Sequence, residues 1–87
     1  MDAKVVDVLN RIKHLADIRA IRFTRHGRER ADERGANFED VREALMTAST
    51  SKPDGDKYKV EGGRDLDGDS LTVVVAIEEK LLVVTLF

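Results

Sequence analysis

At 87 residues, with 41% hydrophobic and 37% charged side chains, the chain has the length of one small domain and is too apolar for a disordered tail. It contains no cysteine, which excludes disulfide frameworks and thiolate chemistry and fits a reducing cytoplasm. No stretch has the apolar length of a signal peptide or a membrane span, and the net charge of −2, taken alone, argues against a nucleic-acid partner.

In chain order, residues 3–18 carry Val5, Val8, Leu9, Ile12, Leu15 and Ala16 at helical spacing, with Asp2 placed to cap them. Residues 20–24 alternate, Ile21 and Phe23 against Arg22 and Thr24, and predict a short strand. Residues 25–34, RHGRERADER, are good helix formers with Thr24 as N-cap and Gly35 as stop. The segment NFEDVREALMTAS is the clearest helix. Asn37 caps it, Glu39 and Asp40 suit its positive end, and Phe38, Val41, Leu45 and Ala48 form its inner stripe. TSKPDGDK has the composition of a loop. KYKVEG alternates as a strand, GGRDLDGDS forms a turn, and LTVVVAI and LLVVTLF form two strands joined at Glu78-Glu79-Lys80.

The expected fold is therefore α+β in the order α-β-α-α-β-β-β. It is a single domain with a small antiparallel sheet of three to four strands and three helices mainly on one face. The last two strands are apolar on both sides. Helices can cover one side, which leaves the other for a second copy or a partner protein.

Charge is unevenly placed. Residues 19–34 hold six arginines against three acids, and residues 54–69 hold six acids against three basic residues, so a bipolar molecule is expected. The arginine helix is unusual because Ala31 is the only apolar residue between Arg25 and Arg34 besides the bare backbone of Gly27. At about 100° per residue, His26, Arg30 and Arg34 share less than a quarter turn. Gly27 and Ala31 lie beside them and are small enough to press against the protein body. Arg25, Arg28, Glu29 and Asp32 point further out and suit a salt-bridged, solvated face.

This arrangement matches a specific chemistry. Cleavage of RNA by its own 2′-hydroxyl needs a base, cationic donors for the phosphate oxygens and a proton for the leaving oxygen. Histidine can move the proton, and arginine binds two phosphate oxygens at once. The candidate catalytic residues are His26, Arg30 and Tyr58. Arg22, Arg34, Lys57, Lys59 and Arg64 are candidates for substrate binding, and the route needs neither metal nor cofactor. DLDGDS departs from a calcium loop, since Ala76 stands where the twelfth-position acid is required, and a hairpin turn is expected instead. His14 and His26 lack metal-ligand spacing, and no glycine loop matches a phosphate-binding fingerprint.

The strand end IRFT, the segment RHGRERADERG, the capped FEDVREAL and the closing KYKVEGGRDLDGDSLTVVVAIEEKLLVVTLF together resemble a family of small uncharacterised bacterial domains. The shared pattern is R-H-x-x-E-R-x-x-E-R-G, here Arg25, His26, Glu29, Arg30, Glu33, Arg34 and Gly35, and the resemblance covers roughly residues 20–87. Such domains look like relatives of RelE-, ParE- and MqsR-like toxins, often found beside zinc-finger antitoxins of the YgiT/MqsA type. The resemblance implies a cytoplasmic toxin of a type II toxin–antitoxin pair. It would be a messenger-RNA endonuclease, held by a cognate antitoxin and forming a homodimer or hetero-oligomer. The alternatives are a ParE-like toxin that binds without cleaving, and an interaction domain without catalysis.

Overall fold

The computed structural model describes residues 3–87, with side chains described from Val8 onward. The cap expected at Asp2 and the inward side chain expected at Val5 lie outside that description. Three helices precede most of the sheet: α1 (Ala3–Asp17), α2 (Arg25–Arg34) and α3 (Phe38–Thr47). Five strands follow the order β1 (Ile21–Phe23), β2 (Thr50–Asp54), β3 (Lys57–Glu61), β4 (Val73–Ile77) and β5 (Leu81–Leu86).

The helix ends follow from local chemistry. Below α1, the Ala20 N–H donates to the Leu15 carbonyl (2.8 Å) and the Arg19 N–H to that of Ala16 (3.1 Å), with Arg19 at φ 63°. A left-handed non-glycine residue is costly; these two capping hydrogen bonds hold Arg19 there, and its side chain pairs with Glu39. Arg42 of α3 secures the same end, donating to the carbonyls of Ala16 (2.9 Å) and Asp17 (3.0 Å). α2 ends in the same type of cap, now with Gly35 at φ 73° and the Ala36 N–H donating to Ala31 (2.9 Å). At the start of α3, Asn37 accepts from the Asp40 N–H while the Asp40 carboxylate accepts from the Asn37 N–H, a reciprocal capping box.

The sheet order is β1-β5-β4-β3-β2. β2 to β5 pair antiparallel with their neighbours, while β1 runs parallel to β5, with Ile21 opposite Leu81 and Phe23 opposite Val83. The sheet is thus mixed and five-stranded rather than antiparallel with three or four strands. Two physical reasons account for the difference. Period-2 alternation marks a strand but not its direction, so the parallel pairing of a three-residue strand leaves no trace in sequence. TSKPD, expected as loop, forms β2 at the sheet edge, where a proline lacking its N–H is tolerated.

Register assigns the faces. Ile21, Phe23, Leu81, Val83, Leu86, Val73, Val75, Val60 and Tyr58 share the inner face. There they meet Ile12, Leu15 and Ala16 of α1, Ala31 of α2, and Val41, Ala44 and Leu45 of α3 in one core cluster. The outer face carries Arg22, Leu82, Ala76, Val74, Thr85 and Lys59. Val74 is buried yet lies outside that cluster, and Leu82, Ala76 and Val84 are half-buried and also outside it. The helices therefore cover one face, and the strands' apolar character continues onto the uncovered one. Among the described residues no helix is long and apolar enough to cross a membrane.

Thr24 links β1, α2 and β5. Its hydroxyl accepts from the Gly27 N–H (3.0 Å) and donates to the Val83 carbonyl (3.1 Å), and its own N–H reaches the same carbonyl (3.0 Å). Thr24→Val keeps the shape and removes the cap, so a loss of about 1 kcal/mol is expected. In a thermal melt that corresponds to a drop of roughly 4–8 °C for a domain of this size. An unchanged melting temperature would show that the cap contributes nothing.

Candidate functional site

α2 docks edgewise against β5. Gly27 and Ala31 are its buried residues, and a Cβ on Gly27 would collide with the Val83 carbonyl. That close approach compensates for the helix's lack of an apolar stripe. It also fixes where the charged side chains stand. Arg25 pairs with Glu29 at 3.5 Å, and the Arg28 guanidinium lies 5.0 Å from the Phe23 ring centroid, so these residues form the expected solvated side.

On the adjacent stripe, Arg30 and Arg34 line a solvent-open groove of about 360 Å³ together with Glu33, Leu86 and Phe87. Arg30 donates to the Glu33 carboxylate at 3.2 Å, and Arg34 donates to the Ser70 carbonyl at 2.6 Å. His26 is exposed and precedes Arg30 by one helical turn, at the N-terminal approach to the groove. The expected stripe is thus present, with two of its three members in the groove wall and the third just beyond.

The remaining candidate residues are dispersed. Arg22, on the outer face, lines a second groove of about 430 Å³ with Glu78, Glu79, Lys80 and Leu82. Tyr58 faces the helices and packs, half-buried, against the core cluster, two strands away from β5. It is not brought to the stripe of His26 and Arg30. Lys57 is held by Asp56 at 2.8 Å, and that hydrogen bond and the charge attraction keep its ammonium above the usual lysine range. Arg64 donates to the Gly68 carbonyl at 2.9 Å, and its backbone bridges Ser70, whose carbonyl also receives Arg34. The end of the basic segment therefore contacts the loop that follows β3 at Ser70.

Lys59 does come near the groove. Its ammonium lies 5.3 Å from the centroid of the Phe87 ring, which is 51% exposed. Phe87 was not foreseen as a site residue. No local pattern marks it: alternation from buried Leu81 and Val83 puts Phe87 on the inner face, and only the register shift between β4 and β5 at Val74/Val75 turns it outward; Lys59 is added only by the pairing of three strands. The DLDGDS turn is closed by Asp65, whose carboxylate accepts from the N–H groups of Asp67 and Asp69, both at 2.9 Å.

Comparison with curated proteins and with solved structures returned no match. A family match does exist, and it spans the arginine helix, α3 and all of the sheet from the end of β1 onward, leaving α1 outside. Over residues 23–87 this is the family described as a domain of unknown function (DUF4258), and the chain belongs to it.

Proposed function

We propose that the domain is the toxin of a toxin–antitoxin pair, and that it binds messenger RNA along the groove between α2 and β5 and cleaves it without a metal. The observation that supports this reading is the placement of Arg30 and Arg34 in one open groove, with His26 a single turn away on the same stripe. In the proposed reaction the His26 imidazole takes the proton of a 2′-hydroxyl. The 2′-oxygen bonds to the adjacent phosphorus, and the bond to the 5′-oxygen breaks. That oxygen takes a proton from solvent, leaving a 2′,3′-cyclic phosphate and a 5′-hydroxyl. Arg30 and Arg34 hold the non-bridging oxygens as their charge grows.

The antitoxin, or a second copy of the chain, would cover the outer sheet face, where Val74, Ala76 and Leu82 continue beyond the helix-covered core. The same arrangement without cleavage would make a non-enzymatic binding toxin, and that reading rests on the same apolar face.

Salt dependence tests the phosphate contacts. Each neutralised phosphate on a single strand contributes a slope of roughly −0.7 in log affinity against log salt. Arg30→Ala and Arg34→Ala are each expected to flatten the slope by about that amount. Arg28→Ala, whose guanidinium lies over Phe23, should flatten it less. Equal slopes in the wild type and both groove variants would show that the groove does not contact the phosphates.

A further inference from the structure

We propose that the Phe87 ring is a base-stacking platform that makes this groove prefer single-stranded over duplex RNA; the proposal rests on the RNA-binding reading above and names the form of RNA. Phe87 is fixed rather than dangling. Its N–H donates to the Thr72 carbonyl (2.9 Å) and its carbonyl accepts from the Thr72 N–H (2.8 Å). The ring is half-exposed and forms part of the same groove wall as Arg30 and Arg34. Lys59 reaches it from β3, while the arginines belong to α2 on the opposite side of β5.

An exposed aromatic in a groove wall that also carries cationic side chains is what a strand with unpaired bases requires; the Lys59 ammonium lies over one face of the ring, and a base would take the other. The cations follow the phosphates, and any base can lie on the ring because every base has a π-face. A duplex keeps its bases stacked inside and presents only backbone and groove edges, so the ring adds nothing to duplex binding. Tyr58, the aromatic residue among the candidates drawn from sequence, packs against the core on the other face of the sheet.

The test compares a fluorescein-labelled 2′-O-methyl oligouridylate, which lacks the attacking hydroxyl and cannot be cleaved, with a duplex RNA of equal phosphate number. Phe87→Ala is expected to weaken binding of the oligouridylate by about 5- to 150-fold. It should leave duplex binding and the salt slope unchanged. Phe87→Leu, apolar without a π-face, should behave like Phe87→Ala, and Phe87→Trp should bind as well as the wild type or better. Thermal melts check that the variants fold. Full affinity in Phe87→Leu, or an equal loss on duplex, would overturn stacking. Unchanged single-strand binding in Phe87→Ala, with weakened binding in Arg34→Ala, would overturn this inference alone. No RNA binding by the wild type would overturn it together with the reading on which it rests.

Discussion

Gly27→Ala is expected to destabilise the domain by about 1–3 kcal/mol, although alanine is the better helix former. In an exposed helix interior the same change gains roughly 1 kcal/mol. Here the added methyl would overlap the Val83 carbonyl oxygen and come within 2.9 Å of its carbon and 3.3 Å of the Thr24 hydroxyl. A strand carbonyl cannot rotate aside as a side chain can, so α2 must move. Movement pulls the Thr24 cap off Val83 and lifts Ala31 from the core, which are the contacts that seat a helix with so little apolar surface. Urea denaturation compares the two chains directly. A Gly27→Ala protein as stable as the wild type, or more stable, would contradict edgewise docking of α2 on β5.

The largest expected effect on activity is at His26. His26→Gln keeps hydrogen-bonding capacity and removes proton exchange, so RNA binding should persist while cleavage falls by about 10²- to 10⁴-fold. The residue is exposed, and stability should hardly change. Single-turnover cleavage of a mixed-sequence RNA in EDTA, with binding measured on the same preparations, separates the two outcomes. Cleavage that survives His26→Gln would exclude its role as base. Loss of binding together with cleavage would make it a contact residue.

The legible part of this fold was the local part. Thr24, Gly35 and Asn37 each occupy the cap for which their chemistry suits them, because capping depends on residues within one turn. The stripe of His26, Arg30 and Arg34 beside Gly27 and Ala31 followed from helical spacing alone. What escaped was non-local. The parallel pairing of β1 with β5 joins residues about 60 positions apart and has no local signature. β2 was hidden by Pro53, which marks a loop in composition and an edge strand in context. The separation of Tyr58 from His26, and the arrival of Lys59 at Phe87, depend on strand order, which alternation does not encode. The sharing of Ser70 by Arg34 and Arg64 likewise depends on how the 62–70 loop returns to α2.

Whether the α2–β5 groove binds single-stranded RNA is decided by one titration. A labelled 2′-O-methyl oligouridylate is titrated with the wild type and with an Arg30→Ala/Arg34→Ala double variant across a series of salt concentrations. Binding by the wild type is expected to weaken steeply with salt, with a slope in the double variant shallower by roughly 1.4. Absence of binding by the wild type at low salt, or identical slopes for the two proteins, would contradict RNA binding in the groove.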